Sequence, residues 1–130
     1  MAINDIDSAT KALLDSEATR TERSRITDEW TDLDIETGYA IQRAFVDAKV
    51  AAGDTVIGTK LGLTSRAKQE RMGISSPLTA VLLESYILPA DVPLPLDKLI
   101  HPRVEPEIIF VMKERLQGPG VTAATALAAV

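Results

Sequence analysis

Two glutamates set two residues apart at the head of an apolar run constrain this chain more than any other feature. They lie in Ile100-His101-Pro102-Arg103-Val104-Glu105-Pro106-Glu107-Ile108-Ile109-Phe110-Val111. The last five positions, rich in β-branched and apolar residues, predict a buried strand. In a strand, a spacing of two points both carboxylates to one face, with Cα atoms roughly 6.5–7 Å apart. Arg103 shares that parity, while Val104, Pro106, Ile108 and Phe110 take the other. Two acids beside an apolar surface repel each other unless a positive charge lies between them. A hard divalent metal bound through oxygen meets that need, and so does a side-chain cation such as Arg103 or Lys60. The same residues also fit a sheet edge with solvated glutamates, and Pro106 favours that alternative because proline belongs at edges or bulges. Ile108 and Ile109 are consecutive, so a strand here carries an apolar residue on each face and expects neighbours on both.

Those neighbours must come from a chain of 130 residues, long enough for one core and short for two. A net charge of −5 with acids and bases interspersed argues against a nucleic-acid surface but leaves room for a local basic pocket. With no cysteine, disulfides, thiolate catalysis and cysteine-ligated zinc are excluded. The first residues show no signal-peptide pattern and no window is apolar enough to span a membrane, so a soluble cytoplasmic protein without membrane or nucleic-acid partners is expected.

Helical spacing over 5–20 places Ile6, Ala9, Leu13 and Leu14 on one stripe. Residues 20–30 are crowded with charge and threonine and read as a linker, pinned by Ile26 and Trp30. A second helix follows, with Thr31 or Asp34 as cap, an apolar face of Gly38, Ile41, Phe45, Ala48 and Ala52, and Gly53 as the stop. Residues 55–61 predict a strand, 66–72 a short helix capped by Thr64 or Ser65 and stopped by Gly73, and 78–83 another strand. Prolines between 89 and 95 force an extended connection, and Gln117-Gly118-Pro119-Gly120 a turn. The tail from Val121 to Val130 is helix-prone, uncharged and without a stop signal, and reads as a helix cut in its middle.

Gly58-Thr59-Lys60-Leu61-Gly62-Leu63-Thr64-Ser65 places a lysine between glycines at a strand end, just before a helix N-terminus. Such a turn gathers positive potential and free N–H groups and suits an anion. It lacks the order of a P-loop, and a plain strand–turn–helix with an exposed lysine is the alternative. His101, the one histidine, shares the parity of Glu105 and Glu107, but Pro102 interrupts the strand between them. A hydrogen-bonded or solvated histidine suits it better than a metal ligand.

Gly58-x-Lys60-x-Gly62-Leu63-Thr64-Ser65, Met72-Gly73-Ile74-x-x-Pro77, Ile100-His101-Pro102-Arg103-Val104-Glu105-x-Glu107-Ile108 and Leu116-x-Gly118-Pro119-Gly120 occur in this order, preceded by Tyr39-Ala40-Ile41-Gln42. In these motifs the chain resembles the N-terminal half of the 4-oxalocrotonate decarboxylase and 2-oxopent-4-enoate hydratase family, within the fumarylacetoacetate hydrolase superfamily. Leu-Ile-His-Pro, the Met-Gly turn and Leu-x-Gly-Pro-Gly resemble the decarboxylase branch more than the hydratase branch.

The resemblance implies an α+β fold: an N-terminal helical segment, residues 1–54, then the first part of a β-rich catalytic domain with a mixed, barrel-like sheet, residues 55–130. It implies Mg²⁺ or Mn²⁺ on Glu105 and Glu107, Lys60 as the catalytic lysine, and Leu61, Gly62, Thr64 and Ser65 beside the substrate. It implies a lyase acting on a small unsaturated 2-oxo acid in meta-cleavage degradation of aromatics, working as a homo-oligomer or in complex with a partner hydratase. Thr79-Ala80 departs from the family, which usually carries a glycine there, and members are about twice this length, with a third acidic ligand expected beyond Val130. A truncated relative acting as an interaction or anion-binding protein is the reading from another class.

Overall fold

The computed structural model describes residues 3–130. Helix α1, Ile6–Thr19, starts where Asp5 in extended backbone accepts the Ser8 N–H at 2.7 Å, satisfying one of the amides that a helix start leaves free. It ends at Arg20, which turns left-handed with φ 54°. Within the predicted linker the chain makes one short helix, α2, Ile26–Glu29, and Ile26 and Trp30 pack against the core. Helix α3, Ile35–Ala51, is capped by Asp34, whose carboxylate accepts the Thr37 N–H at 2.7 Å. It stops at Ala52, followed by Gly53 with φ 104°, a conformation that costs glycine little.

Helices α1 and α3 pack on each other around Ala9, fully buried, and Ile41, with Ile3, Ile6, Leu13 and Leu33 beside them. Alanine at the contact lets the two backbones approach closely. Lys49 of α3 donates to Glu17 of α1 at 2.7 Å and lies 5.8 Å from the centre of the Tyr86 ring. The hydrogen bond to Glu17 holds the Lys49 ammonium above its ordinary range.

Strands β1, Val56–Gly62, and β2, Leu78–Leu83, pair antiparallel, with helix α4, Arg66–Met72, between them. The register sets Lys60 opposite Ala80 and Leu61 opposite Thr79, with an irregularity between Val56 and Gly58. Asp54 ties the base of this ribbon, accepting Thr55 N–H at 2.8 Å, Ser85 N–H at 3.2 Å and the Ser85 hydroxyl at 2.6 Å. No helix among the described residues is long and apolar enough to cross a membrane.

Two expectations change. The run 107–111 forms no strand, and Ile108, Ile109 and Val111 are 84%, 83% and 81% exposed. A period-two pattern states what a segment can bury, but burial also needs an apolar cover, and among the described residues none lies over these side chains. The barrel-like sheet is accordingly not closed. The C-terminal helix is also shorter than its composition suggests: α5 runs Ala123–Ala128, opened by a reciprocal cap between Thr122 and Thr125. Its end is tied back, because the Ala129 carbonyl accepts the Lys113 N–H at 2.9 Å and Ala129 itself is buried.

Candidate functional site

The site is delivered by β1. Its alternation half-buries Gly58, Lys60 and Gly62 and leaves Thr59 and Leu61 exposed, so Lys60 shares a face with the two glycines. After Gly62 the chain reverses through Leu63, whose φ of 54° is unusual for leucine, and Gln69 of α4 donates to the Leu63 carbonyl at 2.7 Å to hold that turn. Behind the ribbon, α3 grips β2 at one residue. The Thr79 N–H donates to the Tyr39 hydroxyl at 3.1 Å and the Gln42 side-chain amide donates to the Thr79 carbonyl at 3.0 Å. Tyr39 and Gln42 belong to the sequence pattern, but this role is invisible in it, since the contacts join residues some forty positions apart.

Across from β1, the segment that carries the two glutamates converges on Lys60. Its ammonium donates to Glu107 at 2.6 Å and lies 3.5 Å from Glu105. Lys60, rather than Arg103, is therefore the cation between the two acids. The Glu107 hydrogen bond, with both carboxylates nearby, raises the Lys60 ammonium above its ordinary range. The side chains remain open to water, 39% exposed for Lys60, 69% for Glu105 and 45% for Glu107, so solvent screens much of the attraction.

Other expected residues fall nearby without contacts that reveal a role. Leu61, Thr64 and Ser65 are exposed and Gly62 half-buried. Ser65 occupies the cap position of α4 but makes no side-chain cap bond, and α4 has only seven residues. The anion reading of this turn weakens accordingly, because Lys60 is already matched by two carboxylates. His101 does not join them: its backbone is left-handed, with φ 48°, and its Nε2 meets Glu22 at 2.9 Å, fastening the α1–α2 connection to the head of the glutamate segment. A cleft of about 940 Å³ opens between α1, α3 and the 85–100 connection, walled by Leu13, Phe45, Leu88 and Leu99, and Lys60 does not line it.

The donor chemistry suits a hard divalent cation. Two carboxylates from one short segment already converge on a single positive charge, and oxygen anions are the ligands that magnesium and manganese prefer. They make only part of a cage, since no group of three His, Cys, Asp or Glu side chains gathers among the described residues.

No family model matches the sequence, whereas known proteins and solved structures do. The chain is 40% identical over 99 residues to a 2-hydroxypent-2,4-dienoate hydratase of Pseudomonas putida, covering 75% of this chain and 45% of that protein. It is 37% identical over 105 residues to a 4-oxalocrotonate decarboxylase of Pseudomonas sp. strain CF600, covering 81% of this chain and 40% of that protein. In structure it matches the 4-oxalocrotonate decarboxylase of Pseudomonas putida G7, solved with magnesium and adipate, with a TM-score of 0.89 at 29% identity over 95% of this chain and 47% of that one. The same enzyme has been solved with calcium and acetate. The chain thus spans a little under half the length of the relatives it matches. Sequence and fold together place these 130 residues in the 4-oxalocrotonate decarboxylase and 2-oxopent-4-enoate hydratase family.

Proposed function

We propose that this chain carries the Lys60–Glu105–Glu107 part of a lyase site that decarboxylates 4-oxalocrotonate (2-oxo-3-hexenedioate) to 2-oxopent-4-enoate with the help of Mg²⁺ or Mn²⁺. The observation that carries the reading is the convergence of Glu105 and Glu107 on one cation beside the Lys60 turn. Residues 1–54 then serve as a helical buttress and 55–130 as the part that meets the substrate. Glu105 and Glu107 would hold the metal, whose bound form supplies Lewis-acid stabilisation of negative charge developing on the substrate's keto oxygen.

The chain's own groups do the rest. The distal carboxylate of the substrate is vinylogous to that of a β-keto acid. As its C–C bond breaks and carbon dioxide leaves, the electron pair passes through the double bond towards the keto oxygen. Lys60 contributes positive charge there and relays a proton to carbon to complete the product. Leu61, Gly62, Thr64 and Ser65 flank the substrate at the turn. The remaining metal ligands and the cover that excludes water belong, in this reading, to the half of the fold that the longer relatives also possess. Assembly with a second copy or with a partner hydratase would follow the same logic.

A hydratase reading, adding water to 2-hydroxypenta-2,4-dienoate, is favoured by the 40% identity to the Pseudomonas putida hydratase. Both reactions pass through a conjugated dienolate, so one site can support either. The test is a chimera in which residues 1–130 replace the matching half of a full-length 4-oxalocrotonate decarboxylase. Loss of dienedioate absorbance with Mg²⁺, abolished by Glu105→Gln or Glu107→Gln, is expected. A chimera that hydrates the dienoate and leaves the dienedioate intact selects the hydratase. A folded chimera with neither activity overturns both.

A further inference from the structure

Lys60 stands where the two carboxylates would also receive a divalent cation. Its Nζ is 2.6 Å from one Glu107 oxygen and 3.5 Å from one Glu105 oxygen, so the ammonium already draws on an oxygen of each side chain. A magnesium ion demands oxygen contacts of about 2.0–2.1 Å in near-octahedral array. A divalent cation drawn to these oxygens repels the ammonium, and its larger charge favours it in the contest for them. Nothing else on the described surface anchors Lys60: its ion pairs are these two, and it is 39% exposed with room to move. Its four-carbon stem lets the ammonium swing without moving β1.

We infer that Lys60 is an internal competitor for the metal position: it holds Glu105 and Glu107 together, and a divalent cation that binds them displaces it and turns its three N–H donors towards the substrate side of the turn. This rests on the metal reading above and adds an order to it, cation first and 2-oxo acid second. It also gives the pair of acids a reason to be close before any metal arrives, since without a positive charge they would separate.

The test uses the 130-residue chain with Mn²⁺ alone, binding being followed by loss of the free-ion electron paramagnetic resonance signal. Lys60→Met removes the competitor and should tighten Mn²⁺ binding about fivefold, the scale of an exposed ion pair. Lys60→Arg keeps the charge and should bind Mn²⁺ as weakly as the native chain. As a second readout, acetylation of Lys60 by acetic anhydride, followed by peptide mass spectrometry, should speed up when Mg²⁺ is added while that of Lys98 stays constant. If Lys60→Met binds Mn²⁺ equally well or more weakly, displacement is wrong while the metal reading stands. If neither the native sequence nor Lys60→Met binds Mn²⁺, in the 130 residues or in the full-length chimera, the metal reading itself falls and the inference with it. Mn²⁺ binding by Lys60→Met that disappears with Glu105→Gln and Glu107→Gln supports both.

Discussion

The helical pair α1–α3 and the segment 104–111 are comparably apolar in sequence and opposite in fate. In the pair, Ala9 and Ile41 are buried and every helix end that matters has a local partner. In the segment, Val104 is 94% exposed and Ile108 84%, and the charged residues Glu105 and Glu107 are the ones with a fixed contact. Apolar residues therefore do not decide burial by themselves. The helices bring their own covering surface within fifty residues, whereas the segment, although the far edge of β1 stays unpaired, has no apolar cover among the described residues. Its order comes from electrostatics, a weaker and more easily screened source than packing.

The sharpest way to break that contrast is to delete the same kind of side chain in each region. Ile41→Ala should cost about 2–4 kcal/mol, the range for emptying a packed core site. Ile108→Ala should stay within about 0.5 kcal/mol, as surface changes do. Urea unfolding of both variants compares them directly, and an equal loss would mean that residues 104–111 are buried in solution. The next largest effect belongs to the cap of α3: Asp34→Ala should lower the urea midpoint, by less than Ile41→Ala and more than Ile108→Ala, because the Thr37 N–H is left without its acceptor.

A smaller effect of opposite sign is expected at Thr10. It is a buried residue of α1, and its hydroxyl oxygen has no hydrogen-bond partner among the described residues. Thr10→Val keeps the shape and removes that burden, so the thermal midpoint should rise, with a gain of up to about 1 kcal/mol. A fall would place a partner on that hydroxyl. The smallest expected effect is acid sensitivity at the base of the ribbon. The Ser85 hydroxyl bond holds the Asp54 carboxyl below its ordinary value of 3.8. A depressed carboxylate contributes its stability above that value and loses it as the pH falls through its folded one. Ser85→Ala should thus be less stable than the native chain at pH 6, and the gap should close as the pH drops below 3.8. A gap that stays constant would assign the effect to packing.

The legible part of this molecule is what local chemistry writes. Asp34 as cap, Gly53 and Gly73 as stops, and the alternation of β1 and β2 all act within a few residues, so sequence reading places those elements almost to the residue. Ile26 and Trp30 could be named as anchors because large apolar residues in a charged stretch have few other uses. What the pattern leaves open is choice among distant partners. It offers both Arg103 and Lys60 as the cation between the glutamates, and only the fold selects Lys60, 47 positions away from Glu107. Reading 107–111 as a strand overreaches for the same reason: alternation is a property of the segment, and pairing a property of its neighbour. The grip of Tyr39 and Gln42 on Thr79 is illegible because its target is backbone, which every residue has.

That grip gives the two-stranded ribbon a direction of growth. Both main-chain groups of Thr79 are spoken for by α3, so β2 cannot accept another strand at that residue without giving up two hydrogen bonds. An edge strand blocked in this way resists chance pairing with other chains. Strand β1 has no such guard on its far side, since among the described residues it pairs with β2 alone. Any extension of the sheet is steered to the flank that carries Lys60. The helices thus act as a one-sided stop, and they keep open the border where a third strand would arrive beside the charged cluster.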